Sequence, residues 1–179
     1  YSGFIGGTFG DYAFAIAVDG SGSAYVTGST YSDEMSFPLA VGPDLTRNGV
    51  VYRDAFIAKV ASSGEALVYC GYIGGLYEDI GYGVAVDASG SAYVSGTTGS
   101  DEASFPVTVG PGLVRKDTTN TDDAFVAKIG PTGADLVYCG FISGHRDDHG
   151  AEIAVDGSGH AYIVGTTGST DGWWGFFPA

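Results

Sequence analysis

The segment His145-Arg146-Asp147-Asp148-His149 sets two imidazoles and two carboxylates within five residues, a grouping that could hold a metal ion or move protons. Glu152 and His160 follow it. Further on, Trp173 and Trp174 in "WWGFF" offer indoles that could stack on sugar rings or bury against another subunit. A second set of carboxylates recurs along the chain. Asp11, Asp79 and Asp148 share one place, and Asp33-Glu34 and Asp101-Glu102 share another. Oxygen-rich loops of this kind suit Ca2+, which takes about six to eight oxygen ligands. The same carboxylates could instead cap turns by accepting backbone N–H bonds, and no stretch has the spacing of a known calcium loop.

Residues that recur serve an architecture that recurs, so a unique catalytic centre belongs among those that do not. His145, His149 and Glu152 are the candidates, and Glu152 stands where the other repeats have Ala15 and Gly83. A hydrolase or lyase would use them as acid and base. Against this, His-x3-His falls in a loop and lacks the shared face a helix would give it. No glycine-rich stretch has the strand–loop–helix setting of a phosphate site, and no nucleophile elbow is present. Asp19, Asp87 and Asp156 open hairpin turns, where a structural role suffices. Lys59 and Lys128 recur as well, and each is expected in an inter-strand ion pair or as a snorkelling edge residue.

Seven Lys+Arg against 21 Asp+Glu give a net charge of −14. Such a surface repels phosphate backbones and anionic lipid, which excludes nucleic acid and membrane surfaces as natural partners. No apolar run approaches the roughly 20 residues needed to span a bilayer as a helix. The opening "YSGFIGG" has neither a basic nor an apolar leader segment, so a mature product or a fragment is expected. Hydrophobic residues reach 44% and glycine supplies 31 positions, a balance that favours short strands joined by tight turns.

The elements that must position these residues come from an internal repeat. "YSGFIGG" at Tyr1, "YCGYIGG" at Tyr69 and "YCGFISG" at Tyr138 open three units, 1–68, 69–137 and 138–179, within a single repeat domain. Each complete unit reads as four strands. The first, "AFAIAVD", alternates Phe14, Ile16 and Val18 against Ala13, Ala15 and Ala17. A Gly-containing hairpin turn leads to "AYVTG". A long connection with "SFPLAVGPDL" leads to "DAFIAKV", and another turn leads to "LVYCGYIGG". Four short antiparallel strands per unit is the pattern of a β-propeller blade, so the fold expected is all-β. Cys70 and Cys139 occupy one repeat position. On neighbouring blades they would lie beyond the roughly 7 Å reach of a disulfide, so buried free thiols are expected.

With "GYGVAVDASGSAYVSGTT", "SFP", "DAFVAKIGPTGADLVY" and "YIGG" in view, the chain resembles the bacterial SBBP β-propeller repeat family over essentially its whole length. The resemblance implies a secreted or cell-surface setting, propeller architecture and no established catalytic residues. The reading that follows is a non-enzymatic extracellular structural or interaction module that self-assembles into a ring or filament. A carbohydrate- or Ca2+-binding propeller is the alternative, and a propeller hydrolase or lyase the next. The third unit reads as two strands before "FFP" at Phe176, Phe177 and Pro178. Open blade ends completed by other copies or by further repeats, through donated strands, are therefore expected.

Overall fold

The computed structural model describes residues 2–116 and 121–169, and among these no helix occurs. Four strands form the first sheet: β1 (Asp11–Val18), β2 (Ala24–Thr30), β3 (Asp54–Val60) and β4 (Leu67–Ile73). The second repeats them as β5 (Asp79–Val86), β6 (Ala92–Thr98), β7 (Asp123–Ile129) and β8 (Leu136–Ile142). The third holds β9 (Asp148–Val155) and β10 (Ala161–Thr167). Every pairing is antiparallel and every complete sheet runs in chain order, so hairpins alone build it. These are open propeller-like blades, and no closed barrel forms among the described residues.

The hairpin turns are set by glycine. Gly22, Gly90 and Gly159 have φ of 85°, 83° and 84°, a left-handed conformation that a side chain would strain. The first strand departs from simple alternation. A bulge between Ala13 and Ala15 inserts Phe14, and Ala13 pairs with Gly28 while Ile16 pairs with Val26. Since Gly28 and Val26 are two apart, Ala13 shares the face of Ile16 and not that of Ala15. β5 and β9 carry the same irregularity, at Gly81/Gly83 and opposite Val164/Gly165.

The long connection after β2 does not wander. Ala40 N–H donates to Cys70 O at 3.1 Å, Cys70 N–H to Val41 O at 2.9 Å, and Tyr72 N–H to Asp44 O at 2.8 Å. It therefore covers the outer edge of β4, and its counterpart covers β8 through Thr108, Val109 and Gly112. The donated strands expected at the third unit would pair beyond β10, where residues 170–179 lie outside the described residues. β10 pairs only with β9 among the described residues.

Successive sheets stack face to face, with β1 against β5 and β5 against β9. We call the face turned to the preceding sheet leading and the opposite face trailing. The trailing face of the first sheet (Tyr25, Ala55, Ile57, Tyr69, Ile73) meets the leading face of the second (Val84, Val94, Phe125, Ala127, Phe141) in the main core. Small Ala15 and Ala17 pack at its margin, where β1 approaches β5. A second joint gathers Tyr93 and Val126 with Ile153 and Ile163. The leading face of the first sheet is covered in part by its own connection, through Phe37 and Leu39 over Phe56, Cys70 and Tyr72.

Candidate functional site

Asp79 opens β5 and turns back on its own approach loop. Its Oδ2 accepts from Gly75 N–H at 2.7 Å and from the Ser100 hydroxyl at 3.0 Å. Asp148 repeats this with Gly144 N–H at 2.6 Å and the Ser169 hydroxyl at 3.1 Å, and Asp11 with Gly7 N–H at 2.7 Å and the Ser32 hydroxyl at 3.2 Å. Thr30 also donates to Asp11. A glycine precedes each by four residues because the capping serine leaves no room for a side chain: a Cβ on Gly7 would come 2.7 Å from Ser32 Cβ, and one on Gly75 2.7 Å from Ser100 Cβ. Asp33 and Asp101 do separate work, accepting from the Ser36 and Ser104 hydroxyls at 3.0 and 3.1 Å. Asp11, Asp79, Asp148 and Asp101 each accept a backbone N–H, as turn-capping carboxylates do, while Asp33 takes a hydroxyl. Among the described residues, no three carboxylate, imidazole or thiol groups gather as a metal would need.

Burial makes some of these groups poor acids. Asp79 is pushed up to about 8 by loss of water, reinforced by the charge of Asp54, against which its Thr98, Gly75 and Ser100 bonds work. Asp54, opening β3, is pushed up to about 7, again by burial first. Asp123 at the equivalent place takes Arg115 Nε at 2.8 Å. The two thiols are free and buried, and burial pushes both up to about 12, as expected for inert core cysteines.

The hairpin aspartates build a second recurring device. Asp19 Oδ1 accepts from Ser21 N–H and Ser23 N–H, both at 2.9 Å, and from the Ser21 hydroxyl at 2.6 Å. Its Oδ2 lies 3.0 Å from the Tyr25 hydroxyl, which also reaches Gly90 O in the second sheet at 3.2 Å. Tyr93 does the same, 2.9 Å from Asp87 Oδ2 and 3.2 Å from Gly159 O in the third. Lys59 lies over the Tyr25 ring at 4.8 Å and 3.7 Å from Asp19, and Lys128 over Tyr93 at 4.6 Å and 3.5 Å from Asp87. The expected ion pair is present, with the ring beneath it. Ser21 first, with the other hydroxyl and backbone donors, holds the Asp19 carboxyl well below the usual range. This tyrosine–aspartate–glycine joint was not found from sequence, although "SG" and "AY" recurring after Asp19, Asp87 and Asp156 were its signal.

The non-repeated cluster disperses. His145 and Arg146 are exposed, and Asp148 is buried in its own cap. His149 Nδ1 faces Thr97 Oγ1 of the second sheet at 3.3 Å, and Asp147 Oδ1 accepts from Asp122 N–H at 3.1 Å. Glu152 is exposed on β9, and His160 pairs with Asp156 at 2.9 Å. Trp173 and Trp174 lie outside the described residues.

Recurring four-stranded antiparallel sheets, joined face to face by equivalent contacts, define a β-propeller repeat protein. Residues 5–34 and 69–102 match the family model for the SBBP beta-propeller repeat, so the chain carries repeats of that family. The two matches fall on equivalent parts of the first two units, each spanning the carboxylate cap and the first hairpin. No curated protein matches the chain.

Proposed function

We propose that this repeat-based interaction module is a non-enzymatic structural element of the cell exterior, which assembles by stacking sheets from different copies or further repeats. The observation that carries it is what the chain does with its ionisable groups. Asp11, Asp79 and Asp148 close loops, and Asp19, Asp87, Lys59 and Lys128 serve the joints between strands and sheets. Groups so engaged by protein partners are spent on architecture. The acidic surface keeps such a protein soluble and away from anionic lipid and nucleic acid. Negative-stain imaging with sedimentation of the purified chain tests the reading. Rings, filaments or discrete oligomers are expected, and a compact monomer at every concentration overturns self-assembly.

A carbohydrate-binding reading rests on Trp173 and Trp174, and a glycan array with Trp173→Ala/Trp174→Ala as control tests it. Hydrolase or lyase chemistry would draw on His145, His149 and Glu152, which point to different surroundings.

A further inference from the structure

Equivalent positions in the repeats differ sharply in exposure. On leading faces, Val84 and Ile153 are each 8% exposed, whereas Ile16 is 66% exposed, with Val18 beside it also open. On trailing faces, Tyr25 and Tyr93 are fully buried, whereas Tyr162 is 60% exposed, with Val164 open beside it. The first sheet thus presents one half of the joint that occurs twice inside the molecule, and the third sheet presents the other half.

We propose that these halves bind each other in different copies of the chain, head to tail, with Tyr162 of one copy on the Gly22 turn of the next. The proposal deepens the self-assembly reading above and rests on it. Both ends of the contact are preset. The Tyr162 hydroxyl lies 3.2 Å from Asp156 Oδ2, as Tyr25 and Tyr93 lie near their aspartates. The Gly22 turn has the left-handed φ of Gly90 and Gly159, whose carbonyls take the internal tyrosines. Ile16, Val18 and Val26 supply the apolar floor that Val84, Val86 and Val94 supply inside.

The fit is looser than inside the molecule, and the residues responsible can be named. A Cβ at Gly81 would come 2.2 Å from Thr27 Oγ1, and one at Gly150 would come 2.8 Å from Gly96 O. Ala13 carries a methyl at that place, and Val164 stands where Thr27 and Ser95 stand. Glu152 adds a carboxylate where Ala15 and Gly83 are. The natural contact is therefore weak, and restoring the internal residues strengthens it.

Sedimentation of the 179-residue chain, from about 1 µM to about 1 mM, covers the range in which weak contacts populate. The natural chain shows association that grows with concentration. Ile16→Asp, an exposed site whose folding is checked by circular dichroism, weakens it at least about tenfold, as does Tyr162→Ala. Ala13→Gly/Val164→Thr strengthens it about tenfold or more. Association that ignores all these substitutions overturns head-to-tail docking and leaves self-assembly standing. A natural chain that stays monomeric throughout overturns both.

Discussion

At the residue scale, the buried carboxylates make stability depend on pH in an unusual direction. An aspartate in the unfolded chain releases its proton near 3.8, whereas Asp54 and Asp79 hold theirs to about 7 and about 8. Between these limits the folded state binds more protons, so stability is full below pH 4 on their account and falls as pH rises to 8. Each such proton corresponds to a slope of about 1.4 kcal/mol per pH unit at most. Asp19 and Asp87, held low by their donors, act oppositely: their stabilisation is full above pH 4 and is lost only as pH falls below it. Urea midpoints should therefore be lower at pH 8 than at pH 5, and Asp79→Asn should flatten that difference. A midpoint that does not fall between pH 5 and pH 8 would show that neither group holds its proton in the fold. The same residues bear on calcium. Each cap commits one carboxylate oxygen to Gly N–H and Ser hydroxyl donors, and among the described residues no three ligating groups gather around it, so chelator and millimolar Ca2+ should leave the melting temperature unchanged. A rise with Ca2+ would restore the binding reading, since a ligand held by the native state alone stabilises it.

At the scale of the element, the joints distinguish tyrosines that the sequence writes alike. Tyr93→Phe removes a hydroxyl within reach of Asp87, Lys128 and Gly159 O, and should lower unfolding free energy by about 1–2 kcal/mol. Tyr162→Phe takes away only an exposed bond to Asp156 and should cost the monomer under about 0.5 kcal/mol. Equal losses in denaturant unfolding would mean that the contact across sheets contributes nothing. The strands themselves were legible, because period-two alternation and Gly-containing turns are local signals; "DAFIAKV" and "DAFVAKI" are β3 and β7 as read. The face assignment of Ala13 was not legible. A bulge is set by how two strands twist together, and alternation in one strand carries no trace of it. The joint tyrosines were missed for a related reason. Their partner is a backbone carbonyl, which has no letter in a sequence.

At the scale of the molecule, charge opposes assembly. Each copy carries −14, so two copies repel at low ionic strength, and screening relieves this within about a Debye length of 10 Å at 0.1 M salt. Self-association should strengthen as NaCl rises from about 0.02 M to about 0.5 M, as expected when exposed like charges are screened and the contact is apolar. Sedimentation that shows weaker association in salt would point to ion pairs holding the copies together. The repeat made the stack of sheets legible from sequence, while the dispersal of His145, Asp147, Asp148 and His149 was not. His145 to Asp147 lie in the bend before β9, while Asp148 and His149 enter the strand, where neighbouring side chains go to opposite faces, so a dense cluster of letters became separate contacts in space.

The tyrosine that joins one sheet to the next reaches a main-chain carbonyl in a turn, and every unit has such a turn. The acceptor therefore survives any change of side chain there that keeps the glycine's conformation. A gene encoding such a chain could duplicate a unit in frame, and the newcomer would find a socket ready at one side and offer one at the other. Growth in length would require no matching change elsewhere, which makes the unit a heritable building module whose number is free to drift.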